Sequence, residues 1–364
     1  MAARVTDDIE VPSSARRLMD RLGLGEPDGR DGVSLPGRNA NFAVLTSSGR
    51  RVFLKQLHGS RRDAVRRFRR MCDFEQIAVA GGWPDGLSTP VCLGWDEDEL
   101  TIAFEWLEGA RSGHELAATE EFGNELANQA GRLVGMVHSL DPEQQPALET
   151  DPPRLPPLDF FDCLPLDYFA RASGGCLEGW RMLQPDTALA AALCALRAEE
   201  AHAERTAAHC DLRLDQFFRQ DGTLYLCDWE EFRMADPARD VGSFAGEWLY
   251  RAVLEIPSRE LDPGIAEPGH LSHQEVVERG VRELDRLRTR TVAFCAGYRE
   301  SRTAADPGLA ARAAGFAGWH LIDRMFAGAE GRPRLTAVER AAAGIGRSAV
   351  LAPGKFASAL GLEV

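Results

Sequence analysis

The sequence predicts an α+β fold: a small antiparallel sheet carrying one helix near the N-terminus, then a larger, mainly helical C-terminal part. Three observations lead there. Short β-branched and aromatic runs separated by turn residues cluster in the first third of the chain. From Glu120 onward, apolar residues recur mainly at helical spacing. With 364 residues, 44% hydrophobic and 27% charged, the chain can bury one large core or, more naturally, two lobes sharing a cleft.

Ala15 to Leu22 has a short helical pattern, and the following stretch from Gly23 to Gly32 reads as a loop. Asn41–Thr46 and Arg51–Gln56 read as strands joined by the turn Ser47-Ser48-Gly49-Arg50, which predicts a hairpin. Residues 59–80 form an amphipathic helix, with Val65, Phe68, Met71, Cys72, Ile77 and Ala78 on one side and many arginines on the other. Pro90–Trp95 and Leu100–Trp106 read as two more strands around the acidic turn Asp96-Glu97-Asp98-Glu99. These elements define an N-terminal lobe over residues 1–107 and a helical lobe over residues 108–364.

In the second part, helical segments are expected at 127–140 and 186–204, with a Pro-rich loop or insertion at 152–157. Gln216-Phe217-Phe218 and Leu224–Cys227, split by Gln220-Asp221-Gly222, read as a second hairpin. The remainder is mostly helical, over 272–300, 307–328 and 335–349.

A net charge of -14 argues against a general nucleic-acid binder, which presents a basic field to phosphates. Eight cysteines without a Cys-x-x-Cys pair favour buried free thiols over a zinc site or disulfide framework, and hence a reducing cytoplasm. No stretch approaches the run of about 20 apolar residues that spans a bilayer, and residues 1–12 lack an apolar core of signal-peptide length. A cytoplasmic chain without a membrane segment is the expectation.

Chemistry concentrates in His209-Cys210-Asp211-Leu212-Arg213-Leu214-Asp215-Gln216. Here a carboxylate is followed two residues later by a cation and five residues later by a side-chain amide, and a second carboxylate, Asp228, ends the next strand. Phosphoryl transfer needs such parts: a base near the acceptor hydroxyl, a cation near the phosphoryl group, and oxygen ligands for magnesium. The spacing matches the His-x-Asp-x-x-x-x-Asn loop and downstream metal-binding Asp of kinases.

On these residues the chain resembles the aminoglycoside phosphotransferase and choline kinase superfamily, with its protein-kinase-like two-lobed fold, from about residue 33 to 330. The resemblance implies ATP and Mg2+ as cofactors. It implies Asp211 as catalytic base, Arg213 as neutraliser of phosphate charge, and Asp228 and Gln216 as metal ligands. Gln216 stands where the family usually has Asn, and its extra methylene shifts the oxygen. In Asp236-Pro237-Ala238-Arg239-Asp240, Asp240 would brace the loop.

Upstream, Lys55 would pair with nucleotide phosphates, with Glu75 on the following helix as its partner carboxylate. Gly37-Arg38-Asn39-Ala40-Asn41 would cover the phosphates, and Glu105-Trp106-Leu107 would form the hinge whose backbone meets adenine. Taken singly, Lys55 also fits a strand lysine that snorkels, and a His-x-Asp fits ordinary loop hydrogen bonding. Their common order and spacing favours the kinase reading.

For the acceptor, Arg61, Arg62, Arg66, Arg67, Arg69 and Arg70 on one helix fit either a solvated face or a dock for an acidic peptide or phosphorylated intermediate. Gly37-Arg38-Asn39, Asp211 to Gln216 and Gly318-Trp319-His320-Leu321-Ile322-Asp323-Arg324 resemble the kinase subunit of class V lanthipeptide synthetases. That likeness implies phosphorylation of Ser or Thr in a ribosomal precursor peptide before a separate lyase eliminates phosphate, and a complex with lyase and cyclase subunits. Two alternatives stay open: a kinase of a small alcohol such as an aminoglycoside, an amino sugar or a choline-like compound, or a pseudokinase scaffold that binds nucleotide or peptide.

Overall fold

The computed structural model describes residues 11–35, 37–79, 84, 86–140, 148–258, 272–302 and 304–363. The first ten residues, Ala80 at the end of the expected helix, and residues 259–271 within the region expected to be mostly helical lie outside the described residues.

In chain order the first elements are α1 (Ser13–Arg21), β1 (Pro27–Leu35), β2 (Ala40–Thr46), β3 (Arg51–Gln56) and α2 (Arg61–Val79). Then come β4 (Cys92–Asp96), β5 (Thr101–Glu105), β6 (Arg111–Ser112), α3 (Gly113–Ala118) and α4 (Asn124–His138). The short helices α5 (Asp159–Asp162), α6 (Leu166–Arg171) and α7 (Gly174–Leu183) precede α8 (Thr187–His202) and β7 (Thr206–Ala208). The hairpin β8 (Phe217–Gln220) and β9 (Thr223–Leu226) and the strand β10 (Arg233–Ala235) follow. Helices α9 (Ala238–Ser258), α10 (His273–Ser301), α11 (Leu309–Ala329), α12 (Ala337–Leu351) and α13 (Pro353–Leu360) complete the chain.

Two compact units result. The smaller holds residues up to Glu121 together with Leu140–Glu149 and Leu214–Arg233; the larger holds Phe122–Ser139, Thr150–Arg213 and Met234 onward. The smaller unit is built on a five-stranded sheet of order β1-β2-β3-β5-β4 in which every neighbouring pair is antiparallel. The predicted hairpin forms with Asn41 opposite Lys55 and Val44 opposite Val52. β1 is a departure from the sequence reading, which assigned its first residues to a loop. Its Pro27-Asp28-Gly29-Arg30-Asp31-Gly32 segment has no apolar alternation, and the strand is defined by backbone pairing to β2 with a register shift between Asp28 and Val33.

Strand alternation gives the sheet two apolar faces. Val44, Val52, Leu54 and Ala103 pack with Ala15, Leu18 and Met19 of α1, while Ile102 and Phe104 pack with Ala64, Phe68, Met71 and Cys72 of α2. Burying that stripe of α2 contributes about 1.5–3 kcal/mol for each large side chain fully removed from water. The distal hairpin joins this unit: β8 pairs with β6 and β9, and Phe74 of α2 stacks on Trp229 just after β9, ring centroids 3.8 Å apart.

The larger unit is helical, with short strands β7 and β10 forming a two-stranded sheet. α4 and α10 cross so closely that a Cβ on Gly131 would lie 2.0 Å from the Phe294 carbonyl oxygen. Ser272 and Thr336 cap α10 and α12, each in a capping box with Glu275 or Glu339. No helix among the described residues is long and apolar enough to cross a membrane. Cys72, Cys176 and Cys295 are buried, whereas Cys163 and Cys194 are exposed, so the expectation of buried thiols holds for only part of the set.

Candidate active site

The candidate residues divide between the units: Gly37, Asn39, Lys55, Glu75, Glu105, Leu107, Gln216 and Asp228 in the smaller, Asp211 and Arg213 in the larger. In β3, alternation sends Val52 and Leu54 toward α1 and puts Lys55 on the opposite face, where it is buried. Its Nζ meets the Asp228 carboxylate and lies 2.9 Å from Glu230 Oε2. Burial disfavours the charged amine, but the Asp228 and Glu230 carboxylates outweigh it and raise the Lys55 pKa.

Asp228 has a left-handed backbone, φ 70° and ψ 63°, which swings the chain from β9 into the 3-10 turn Trp229–Glu231. Such a conformation costs an L-residue about 1–2 kcal/mol, and Asp and Asn bear it best. The Gln216 carbonyl accepts the Cys227 N–H at 2.9 Å, so the buried Gln216 sits beside the residue preceding Asp228. A carboxylate and an amide oxygen are hard donors suited to magnesium. Among the described residues no group of three or more His, Cys, Asp or Glu side chains could hold a metal alone.

Glu75 is buried on the α2 face that packs on the sheet, and it forms no ion pair with Lys55; among the described residues that lysine meets Asp228 and Glu230. Desolvation pushes the Glu75 carboxyl up to about 7. Sequence reasoning missed Glu230. A signal existed in Glu230 and Glu231, two and three residues after Asp228.

Gly37 and Arg38 are exposed, but Asn39 is buried. Its Nδ2 donates to Glu230 Oε2 at 2.7 Å, and its Oδ1 accepts from Arg67 Nη1 at 2.9 Å and the His58 N–H at 3.2 Å. At the expected hinge, the Glu105 N–H donates to the Val91 carbonyl at 2.9 Å, its carboxylate pairs with Arg50, and the Leu107 carbonyl accepts the Ala110 N–H at 3.2 Å.

The arginine helix is neither wholly solvated nor wholly free to dock a ligand. Arg66 and Arg70 bind Glu149, Arg70 also binds Glu231 at 2.8 Å, and the fully buried Arg67 binds Asp63, Asn39 and Glu230. Burial pushes the Glu149 carboxyl up, but the Arg70 and Arg66 hydrogen bonds outweigh it and hold it at about 2. Arg61, Arg62 and Arg69 are exposed.

In the larger unit, Arg213 Nε lies 3.3 Å from Asp211 Oδ1, and both side chains are partly exposed. Their loop is braced from below. Asp240 accepts the backbone N–H of His209 at 2.7 Å and of Cys210 at 2.8 Å, the latter residue being left-handed at φ 64°. His138 Nε2 lies 3.0 Å from Asp240 Oδ2, and its Nδ1 lies 2.9 Å from the Tyr298 hydroxyl. Burial lowers the His138 pKa, so the neutral ring donates to Asp240 and accepts from Tyr298. Burial would raise the Asp240 pKa, but His138 and the His209 N–H hold it below the usual carboxylate range. A charged Asp240 thus fixes the loop that presents Asp211.

An antiparallel sheet bearing a carboxylate-paired lysine, in a chain whose helical unit carries a braced Asp-x-Arg loop, has the parts of a phosphotransferase. The sequence matches the phosphotransferase enzyme family over residues 33–276, about two-thirds of the chain, and this protein belongs to that family. Among curated proteins none matches it in sequence. Solved structures share its fold. Choline kinase LicA from Streptococcus pneumoniae superposes with a TM-score of 0.51 at 14% identity, covering 92% of this chain and 98% of LicA. Amicoumacin kinase hAmiN, in complex with AMP-PNP, Ca2+ and Ami, gives 0.52 at 13% identity over 93% of each chain. Spectinomycin phosphotransferase APH(9)-Ia, in complex with ADP and spectinomycin, gives 0.50 at 11% identity over 93% of this chain and 98% of that one. The α+β, protein-kinase-like fold is the one expected from sequence.

Proposed function

We propose that this phosphotransferase uses ATP and magnesium to phosphorylate an alcohol, the hydroxyl of Ser or Thr in a ribosomal precursor peptide. The observation that carries the phosphoryl-transfer reading is the ion pair between Lys55 on β3 and Asp228, which follows β9 far along the chain. The peptide acceptor rests on the resemblance of Gly37 to Asn39, Asp211 to Gln216 and Gly318 to Arg324 to lanthipeptide synthetase kinases.

In this reading Lys55 binds the nucleotide phosphates, with the Gly37 turn over them and the backbone of Glu105 and Leu107 against adenine. Asp228 and the Gln216 amide would hold magnesium, which when bound supplies neutralisation of phosphate charge. Asp211 accepts the proton of the attacking hydroxyl, and Arg213 stabilises negative charge on the phosphoryl oxygens. Asp240 keeps Asp211 in place without touching the reacting atoms.

A second reading, transfer to a small alcohol, is supported by the choline, amicoumacin and spectinomycin kinases that share the fold. Incubation with ATP, magnesium and a precursor peptide encoded beside the gene separates the two. A peptide mass gain of one phosphate supports the first; turnover with small alcohols alone removes it. Nucleotide binding without any turnover would make the chain a scaffold. Asp211→Asn should lower kcat by about 10²–10⁴ while leaving nucleotide affinity near that of the parent, measured by steady-state kinetics and calorimetry.

A further inference from the structure

We propose that Glu230 is the carboxylate that positions Lys55 for nucleotide phosphates, the role the sequence reading gave to Glu75. This rests on the nucleotide-binding reading above. Three donors converge on one oxygen, Glu230 Oε2: Asn39 Nδ2 at 2.7 Å, Lys55 Nζ at 2.9 Å and Arg67 Nη1 at 3.2 Å. Glu230 is only 8% exposed, so its charge is out of water and matched by two cations and an amide. Each partner is itself held. Arg67 is fully buried and also donates to Asp63 at 3.0 Å and to the His58 carbonyl, while Asn39 accepts the His58 N–H.

Helix geometry shows why Glu75 does not share this place. At 3.6 residues per turn, Arg67, Arg70 and Phe74 fall on one side of α2. That side meets the 3-10 turn: Phe74 stacks on Trp229, and Arg70 Nη1 donates to the Glu230 carbonyl at 3.3 Å. Glu75 falls on the stripe of Phe68, Met71 and Cys72, which packs on the sheet. A carboxylate for Lys55 therefore comes from the turn after Asp228, with the arginines of α2 holding it.

The two carboxylates on Lys55 differ in setting. The Asp228 side chain is 26% exposed, at the end of the β8–β9 hairpin beside Gln216, whereas that of Glu230 is 11% exposed and already accepts from Asn39 and Arg67. Were Asp228 to hold a metal ion, Glu230 would remain to keep the ammonium in place. It is a positioning residue in this scheme: it acts through Lys55.

The test is calorimetric titration of the full chain with a non-hydrolysable ATP analogue and magnesium, alongside the KM values for ATP and acceptor. Glu230→Gln keeps the shape and removes the charge. It should weaken analogue binding and raise KM for ATP by roughly tenfold to a hundredfold, as loss of a charged hydrogen bond does, with little change in KM for the acceptor. Glu75→Gln should weaken analogue binding less than Glu230→Gln does. Glu230→Asp, which retains the charge, should recover part of the affinity and serves as the decisive variant if Glu230→Gln does not fold. Equal or greater loss in Glu75→Gln, parental affinity in Glu230→Gln, or a Glu230→Asp variant that binds no better than Glu230→Gln, would overturn the assignment while leaving the kinase reading intact. A parent that binds no analogue removes the nucleotide reading itself, and this assignment with it.

Discussion

Glu75 is a carboxyl with its charge in the wrong solvent. Burial on the sheet-facing stripe of α2 raises its pKa from 4.5 to about 7, so between those values the folded chain holds a proton that the unfolded chain has released. Stability contributed by this group is then fully present below about pH 4.5 and lost as pH rises through 7, by about 3 kcal/mol in total. Glu75→Gln should flatten that dependence: relative to the parent, it should gain stability between pH 5 and pH 8, measured by urea unfolding at both. An unchanged difference at the two pH values would refute the buried charge. Lys55 is the opposite case, since its partners more than compensate for burial and keep it charged. The sequence reading paired these two residues with each other, Lys55 on the nucleotide phosphates and Glu75 as its carboxylate. What separates them is which groups lie opposite, and that is set by residues such as Glu230, distant in the chain.

At the scale of elements, packing depends on glycines where backbones touch. Gly131 of α4 faces the Phe294 carbonyl, and Gly297 of α10 faces the Asn128 carbonyl, in each case 2.0 Å from where a Cβ would stand. The same pair of helices contributes His138 and Tyr298 to the network under the Asp211 loop. Gly131→Ala should destabilise the chain by about 3 kcal/mol or more through forced separation of the helices. Gly344 in α12, with open space around its position, is a contrasting case: Gly344→Ala should stabilise by about 0.5–1 kcal/mol, because it removes backbone entropy without a clash. Denaturant midpoints of both variants check the pair, and a similar sign in both would sink the packing argument. The helical periods were legible in sequence; the crossing points were not, because a glycine in a helix looks alike whether or not another backbone passes it.

For the whole molecule, ligand binding is the natural probe of the nucleotide reading. A ligand that binds only the folded chain stabilises it by about 2.7 kcal/mol at a hundred times its Kd. A non-hydrolysable ATP analogue with magnesium should therefore raise the unfolding temperature, and a chelator should reverse part of the gain; a melt indifferent to both would count against the reading. The chain's own sequence determined the α+β class and the order of the longer helices and the two main hairpins, because hydrophobic period and turn residues are local signals. It also determined that a His-x-Asp-x-Arg loop and a strand-end Asp follow an upstream lysine strand. Only the tertiary structure decided that β1 pairs at the sheet edge, that half of the α2 arginines are used inside the protein, and that Lys55 meets Glu230 as well as Asp228. Those outcomes depend on backbone pairing without an apolar pattern and on charges brought together from residues far apart in sequence, neither of which leaves a local trace.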